Sequence, residues 1–332
     1  MKKAFVFGKF LPFHKGHEAM IHFALQQCDF LTILICCSDQ EQISCAVRKE
    51  WIVNTFKDQH TIEVRVFNYL ESELPNTSES SKEVSRLWAQ TFKNQFLDYS
   101  FIITSEIYGN YVAEFMGVTH IPFDIPRNLV PVSATAVRND IFLNWNFLPD
   151  TVKPYFVTKI VILGTESTGK TTLTKLLSDY FDCSLVLETG RELIENSNDF
   201  DYEDLYKVSK EHAKRINNAL LGKSPLVLID TDIHITKSYS RFVFGKELIV
   251  KEAIYAANRA DVYIYLNNDV EHIQDGTRLS KSDRDKLDIF HREVLTENEI
   301  SITEISGNWS ERFNQAVLLI EKCIQDKKKD TS

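Results

Sequence analysis

Two loops that each follow a short apolar segment and open a helical pattern constrain the fold of this chain more than any other feature. The first loop extends from Gly8 to His17 and the second from Gly164 to Thr172. Glycine lets the backbone approach a phosphate closely, and the N-terminus of a helix favours negative charge. The sequence therefore predicts two phosphate-binding loops, each at the carboxyl end of a strand in an α/β fold.

Apolar segments alternate with helical patterns along most of the 332 residues, as in the βαβ units of a parallel sheet. We predict an α/β protein of two doubly wound parallel-sheet domains: a Rossmann-like domain over residues 1–150 and a P-loop domain over residues 151–332. Pro149 and Pro154 mark the boundary because the segment around them fits neither periodicity.

The expected elements follow from the two periodicities. Strands are predicted near 3–7, 31–36, 62–67, 101–104, 118–121, 159–163, 184–187, 226–229, 262–266 and 302–305. Helices are predicted over 17–27, 46–56, 82–96, 111–115, 134–145, 170–180, 191–195, 202–220, 246–257, 281–295 and 309–325. We expect a mobile polar loop over 71–83 and a frayed tail from Lys327 onward.

The composition limits the classes of partner that we expect this chain to bind. A formal net charge of -9 argues against broad binding to nucleic acid. The sequence contains no run of about 18 apolar residues, so we expect no membrane span. The six cysteines lack C-x-x-C spacing, and we expect Cys36 and Cys37 to be buried thiols at the end of a strand. These features favour small-molecule partners and a cytoplasmic location, and they leave an oligomer open.

The second loop has the pattern G-x-x-x-x-G-K-S/T of a Walker A motif. Its backbone N–H groups are expected to surround a β-phosphate, with Lys170 on the β- and γ-phosphates and the Thr171 hydroxyl on Mg²⁺. A helix-capping turn is the bland alternative, which the strand before the loop and the helix after it disfavour. The nucleotide-binding residues predicted here are Gly164, Glu166, Ser167, Thr168, Gly169, Lys170, Thr171 and Thr172.

Asp230 and Asp232 follow the predicted strand 226–229, at the position where a Walker B carboxylate stands. One carboxylate is predicted to hold Mg²⁺, for which we name Asp230 together with Thr171, and the other to accept the proton of an attacking hydroxyl. The alternative is that Asp232 only caps the next helix. Further along, Arg278 belongs to a basic segment that we predict to close over the triphosphate, although Lys281 and Lys286 fit a solvated helix face equally well.

The first loop contains His14-Lys15-Gly16-His17, preceded by Gly8, Lys9 and Phe10. Two imidazoles at one helix N-terminus can face the same anion, which suits charge building on a departing pyrophosphate when an α-phosphate of ATP is attacked. A single histidine there would more often be a cap or a packed residue. Two of them around a glycine favour a catalytic site.

Ser133, Thr135 and Arg138 open the last helix of the first half. Their hydroxyls and guanidinium are predicted to bind the β- and γ-phosphates of the same nucleotide. Alone, this S-x-T-x-x-R pattern would indicate only a helix cap. Its place near the end of a domain that begins with H-x-G-H makes it specific.

The Gly8–His17 loop resembles the signature of the nucleotidylyltransferase superfamily, and Ser133–Arg138 resembles that superfamily's I-S-x-T-x-x-R element, with Val132 in place of the usual Ile. With a Walker A half after it, the chain resembles the bifunctional nicotinamide mononucleotide adenylyltransferase / ribosylnicotinamide kinase family. The resemblance implies that the second half phosphorylates nicotinamide riboside with ATP and Mg²⁺. The first half would then join the mononucleotide (NMN) to the AMP of a second ATP, giving NAD and pyrophosphate.

The resemblance also implies site residues. His14, His17, Arg138, Lys170, Asp230 and Asp232 would be catalytic. Gly8, Lys9 and Phe10 would bind ATP with the two histidines, while Arg48 and Tyr108 would contact the mononucleotide, and Glu188 and Arg191 the riboside.

Two other interpretations remain open at this point. In the first, the chain is a bifunctional nucleotidyltransferase and kinase that acts on another coenzyme precursor. In the second, it is a nucleotide-sensing regulator without turnover. Some family members carry an N-terminal helix-turn-helix, whereas this sequence begins at the first predicted strand, so we expect no DNA binding.

Overall fold

The computed structural model describes residues 1–75, 81–194, 200–269 and 280–330, except for the side chains of 191, 329 and 330. Two compact units follow one another along the chain, Met1–Lys153 and Pro154–Ser332. Each unit carries one five-stranded sheet in which every described pairing is parallel. The α/β fold class predicted from the alternating pattern is confirmed.

The first unit winds outward from its first strand. In chain order it contains β1 (Lys3–Gly8), α1 (Lys15–Leu25), β2 (Phe30–Ser38), α2 (Cys45–Thr55), β3 (Ile62–Tyr69), α3 (Lys82–Gln95), β4 (Phe101–Thr104), α4 (Tyr108–Met116), β5 (Thr119–Pro122) and α5 (Ala134–Asn139). The strand order is β3-β2-β1-β4-β5, which puts β1 at the centre. The loop after β1 therefore emerges where the winding reverses direction, which is where open α/β sheets bind ligands.

Aromatic packing holds this unit together on one side of the sheet. The ring of Phe5 on β1 stacks on Phe96 with centroids 4.1 Å apart and meets Phe92 edge-on at 5.7 Å. Trp88 and Phe92 lie one turn apart on α3 and are buried together, as the i, i+4 spacing of an amphipathic helix requires. This cluster fixes β1, and with it the start of the first loop.

The second unit repeats the principle with a different strand order. Its elements are α6 (Lys153–Phe156), β6 (Thr158–Leu163), α7 (Lys170–Tyr180), β7 (Ser184–Val186), α8 (Gly190–Leu193), α9 (Tyr202–Ala219), β8 (Leu226–Asp230), α10 (Ile233–Phe244), α11 (Glu252–Asn258), β9 (Val262–Leu266), α12 (Lys281–Glu297), β10 (Ile302–Ile305) and α13 (Trp309–Asp330). The sheet order is β10-β9-β6-β8-β7, so β6 is central and the second loop also leaves a central strand. Ile160–Leu163 are fully buried because β6 has neighbours on both edges and helices on both faces.

The structure corrects several boundaries. The helix predicted over 134–145 ends at Asn139, and a separate 3-10 turn covers Trp145–Phe147. Helix α10 was not predicted from the sequence, and the helix predicted over 246–257 begins only at Glu252. The C-terminal tail is helical to Asp330 rather than frayed from Lys327, whose ammonium pairs with Asp261 at 2.9 Å.

The prediction of reduced cysteines was wrong for Cys37. Its sulfur is bonded to that of Cys45, with the two Cα atoms 6.1 Å apart, because the turn after β2 brings the start of α2 back to the end of that strand. Cys36 points to the other side of the strand and is a buried thiol, whose pKa burial raises to about 12. Among the described helices, none has the length and apolar character that crossing a membrane requires.

Candidate functional sites

A cavity of about 270 Å³ opens at the carboxyl end of β1 in the first unit. Residues of both predicted elements line it: Gly8, Lys9, Phe10, His14, His17, Ser133, Thr135, Arg138 and, from α4, Tyr108. The chain separates the first loop from α5 by more than a hundred residues. The sheet nevertheless places both at one cavity, as expected for two phosphate-binding elements of one site.

His14 is the N-cap of α1. Its Nδ1 accepts hydrogen bonds from the backbone N–H groups of Gly16 at 3.1 Å and His17 at 3.4 Å. Burial, with the charge of Arg127 adding to it, lowers the His14 pKa to about 3. A neutral imidazole whose Nδ1 is an acceptor carries its proton on Nε2, so this histidine can donate a hydrogen bond to an anion.

His17 lies against His14, with ring centroids 3.7 Å apart and an interplanar angle of 21°. Its Nδ1 is buried and has no hydrogen-bond partner among the described residues. Burial lowers its pKa well below the ordinary value, and the neighbouring His14 and Arg127 lower it further. Both rings are therefore neutral, which lets them stack at a distance that two imidazolium cations would oppose.

Arg138 joins α5 to the first loop. Its Nη1 donates to the carbonyl of Leu11 at 2.5 Å, and its Nη2 donates to the Thr135 hydroxyl at 3.3 Å. Ser133 caps α5 by accepting from the N–H of Ala136 at 3.1 Å. The cap leaves the first N–H groups of α5 at the cavity, next to a half-buried guanidinium, which is a suitable environment for phosphate oxygens.

A second, smaller cavity of about 120 Å³ adjoins the first and shares Phe7, Gly8, Lys9 and Tyr108 with it. Tyr69 and Trp88 form its apolar side, with ring centroids 4.9 Å apart and an interplanar angle of 80°. An aromatic, largely apolar pocket beside a phosphate site suits a flat ring attached to a phosphorylated sugar.

The structure does not bring Arg48 into either cavity. It is 1% exposed, and its Nη2 binds Glu41 at 2.6 Å while Nη1 donates to the Lys9 carbonyl at 2.8 Å. Glu41 also pairs with the Lys9 ammonium at 3.1 Å. Through these partners the guanidinium holds the first loop in place, and the predicted contact of Arg48 with the mononucleotide stays a prediction.

In the second unit the Walker A loop adopts a shape that requires its glycines. Gly164 has φ +139° and Gly169 has φ +91°, and a Cβ at Gly164 would lie 2.8 Å from the carbonyl oxygen of Leu266. The ammonium of Lys170 donates to the carbonyl of Thr165 at 2.9 Å, across the mouth of the loop. The loop is thus folded around the space in which a phosphate would lie.

Thr171 and Asp230 meet beneath this loop. The threonine hydroxyl donates to Oδ2 of Asp230 at 2.5 Å, and the Asp230 carboxylate is fully buried. Its Oδ1 has no hydrogen-bond partner in the described part of the chain. A buried carboxylate oxygen without a partner beside a hydroxyl fits Mg²⁺, which takes one or two protein oxygens and fills its other positions with water and phosphate.

Asp232 is differently placed. Its Oδ1 accepts from the backbone N–H groups of His234 at 3.0 Å and Ile235 at 3.3 Å, and its Oδ2 contacts Nδ1 of His234 at 2.5 Å. It is the N-cap of α10, 1% exposed, and it does not line the neighbouring cavity. The structure supports the capping alternative for Asp232 over the role of proton acceptor.

A cavity of about 320 Å³ adjoins the Walker A loop. Its charged walls include Lys170, Glu166 and Glu188, and the Tyr239 hydroxyl donates to Glu166 at 2.6 Å. Its far side is lined by Ile194, Phe200, Leu205 and Val208. Glu188 follows β7 and reaches the cavity as predicted, whereas Arg278 and the side chain of Arg191 lie outside the described residues.

Comparison with known proteins identifies both halves. Residues 159–312 match the AAA domain family, and residues 4–121 match the family described as citrate lyase ligase C-terminal domain. The trifunctional NAD biosynthesis/regulator protein NadR of Escherichia coli (strain K12) is 28% identical over 345 residues, which cover 97% of this chain and 83% of that protein.

The chain is similar to NadR proteins over nearly its whole length. A crystal structure of NadR protein in complex with NR matches this chain with a TM-score of 0.66 at 18% identity, covering 97% of this chain and 96% of that one. A second, in complex with NAD and AMP-PNP, has a TM-score of 0.64 at 18% identity, covering 99% and 96%. These likenesses establish the fold of the two units.

Several residues at the two sites were not singled out from the sequence. Glu41, Tyr69 and Trp88 in the first unit, and His212 in the second, give no local signal because each acts through contacts between distant segments. Arg127 follows Asp124-Ile125-Pro126, where a proline next to charged residues in a loop is a weak signal of a shaped turn.

Proposed function

We propose that this chain makes NAD from nicotinamide riboside in two ATP-dependent steps. The second unit phosphorylates the riboside, and the first unit joins the resulting mononucleotide to AMP. Support comes from the similarity to a protein named as an NAD biosynthesis protein, which matches 97% of this chain. The observation that carries the proposal is the pair of sites: a neutral two-histidine phosphate cavity in one unit and a Walker A loop beside an acceptor-sized cavity in the other.

In the kinase step, the 5′-hydroxyl oxygen of the riboside forms a bond to the γ-phosphorus of ATP, and the bond between that phosphorus and the β,γ-bridging oxygen breaks. Lys170 neutralises charge on the β- and γ-phosphates. We assign Glu188 as the group that accepts the hydroxyl proton, because it lines the acceptor cavity and Asp232 does not. The apolar far side of the cavity would hold the nicotinamide ring.

In the adenylyl step, a phosphate oxygen of the mononucleotide forms a bond to the α-phosphorus of ATP, and pyrophosphate leaves. His14 and His17 donate hydrogen bonds to oxygens of the leaving group, and Lys9 and Arg138 balance its negative charge. Ser133, Thr135 and the N-terminus of α5 bind the outer phosphates. No proton needs to move, so neutral, positioned donors suffice. The nicotinamide ring would enter the smaller cavity beside Tyr69 and Trp88.

Mg²⁺ would be held in the second unit by Thr171 and, directly or through water, by Asp230. When bound, it offsets negative charge on the β- and γ-phosphates. Because both steps consume ATP, we propose that the protein acts in the cytoplasm.

Two variants test the proposal. Lys170→Ala should abolish formation of the mononucleotide from nicotinamide riboside while NAD formation from added mononucleotide continues. His17→Ala should do the reverse. Both products are measured by chromatography after incubation with Mg²⁺ and ATP. A folded wild-type protein that makes neither product would refute the proposal, and loss of both steps in either variant would refute independent sites.

A further inference from the structure

Trp309 lies against the Walker A loop. A Cβ added at Gly169 would overlap Cη2 of its indole ring and lie 3.0 Å from Cζ2. The residue as a whole is nonetheless 48% exposed, so Trp309 contacts the loop and also presents surface that a ligand can reach. Trp309 is also the one tryptophan of residues 154–332 in the sequence.

The backbone of Trp309 is fixed by a reciprocal cap at the start of α13. The N–H of Glu311 donates to Oδ1 of Asn308 at 3.0 Å, and the N–H of Asn308 donates to Oε2 of Glu311 at 2.8 Å. This is the geometry of a capping box, and it makes Trp309 the first residue of the helix. The indole therefore projects from a rigid position.

Arg312, one turn further on, ties this helix start to the loop. It is fully buried, and its Nη1 donates to the carbonyl of Thr168 at 2.8 Å while Nε donates to the carbonyl of Gly307 at 2.9 Å. Its Nη2 donates to the carbonyl of Asn267 at 2.9 Å and pairs with Asp269. One guanidinium thus joins the phosphate loop, the end of β9 and the segment that carries Trp309.

We propose that Trp309 is a stacking platform for the base of the nucleotide that the kinase unit binds. A triphosphate seated on the Walker A loop fixes its base within a few bonds of that loop, and a half-exposed indole in contact with Gly169 is the flat apolar surface offered there. Stacking tolerates any base because every base has a π-face. The platform therefore adds affinity for a nucleotide over a bare polyphosphate. This inference rests on the proposed kinase function.

Steady-state kinetics of riboside phosphorylation test the platform. Trp309→Ala should raise the KM for ATP about 5- to 150-fold, the range expected for one lost base stack, with the KM for nicotinamide riboside unchanged. Trp309→Phe keeps a flat ring and should restore most of the affinity. Tyr180→Ala is the matched control, since Tyr180 is 57% exposed on the far end of α7. An unchanged KM for ATP in folded Trp309→Ala overturns the proposal.

Fluorescence separates this inference from the proposed reaction. We subtract the signal of Trp309→Phe from that of the wild type, which leaves the emission of Trp309, and titrate with ADP and with magnesium tripolyphosphate. ADP should change this emission, and tripolyphosphate, which has phosphates but no base, should not. Equal changes with both probes, or none with ADP, refute the platform. A chain that fails to phosphorylate the riboside but shows the ADP signal refutes the reaction and keeps the platform.

Discussion

Replacing Arg48 by methionine should destabilise the first unit more than it harms substrate binding. The side chain is 1% exposed and bridges Glu41 to the carbonyl of Lys9. Removing one partner of a buried ion pair typically costs about 3–5 kcal/mol. Glu41 keeps the Lys9 ammonium at 3.1 Å and the N–H of Ser38 at 3.1 Å, so we place the loss at about 2–3 kcal/mol, at or just below the low end of that range.

For a unit of this size, about 1 kcal/mol corresponds to roughly 2–4 °C in the melting temperature. The first transition of Arg48→Met in differential scanning calorimetry should therefore fall by about 5–10 °C. Arg65→Met is the matched control. Arg65 pairs with Glu63 at 2.7 Å, but both side chains are about 40% exposed, and such surface pairs contribute little.

The kinetic part of the test separates two roles for Arg48. If it holds the loop, the KM for ATP in NAD formation should rise, because Lys9 and the loop shift together. If it contacts the mononucleotide, as the family resemblance implied, the KM for that substrate should rise alone. An Arg48→Met protein that melts within about 1 °C of the Arg65→Met control and loses only affinity for the mononucleotide would refute the reasoning.

Three further experiments test other parts of the structure. Gly169→Ala should abolish riboside phosphorylation and leave NAD formation intact, because φ is +91° and the new methyl group overlaps Trp309; activity above a tenth of wild type contradicts this. The buried His14 has a pKa of about 3 in the folded chain, against an ordinary value of 6.5. Between pH 6.5 and pH 3 the unfolded chain therefore binds one more proton at His14 than the folded chain, and the free energy of unfolding falls as the pH falls. The melting temperature should drop less steeply from pH 7 to pH 5 in His14→Asn, which keeps a capping side chain, and an unchanged slope would contradict the assignment. Finally, Glu188→Gln should lower kcat of the kinase step by about 10²-fold or more, whereas Asp232→Asn, which can still cap α10, should retain most of it; equal losses would return Asp232 to the role of proton acceptor.

The phosphate loops could be found from the sequence because their chemistry is local. Gly164 and Gly169 act through the backbone geometry of a nine-residue loop, and the Lys170 side chain extends over the same loop. The strand before the loop predicts where it lies in the sheet. The same holds for His14, whose cap involves only the next three residues. Local rules also placed Ser133 at a helix start.

The remaining features depend on contacts that no local pattern specifies. In the sequence, nothing distinguishes Arg48 from an exposed cation on a helix. Its side chain is buried because the first loop folds against it. Asp232 could serve as base or cap, and the choice depends on where α10 and His234 lie. The Cys37–Cys45 bond joins residues eight apart across a turn whose shape the sequence does not reveal.

The two halves of the first site differ in how firmly they are held. Gly8 ends the central strand β1, which pairs with β2 along its whole length and with β4 at Ala4 and Phe5, so its amides should exchange with solvent only when the unit unfolds globally. The six-residue helix α5 belongs to no sheet, and its side-chain link to the first loop runs through Arg138. Its amides should exchange through local opening at much lower free energy. The site therefore combines a half that the central strand holds in place with a short helix that we expect to open locally at lower free energy. Part of the binding energy of a triphosphate would then go into ordering α5 around it.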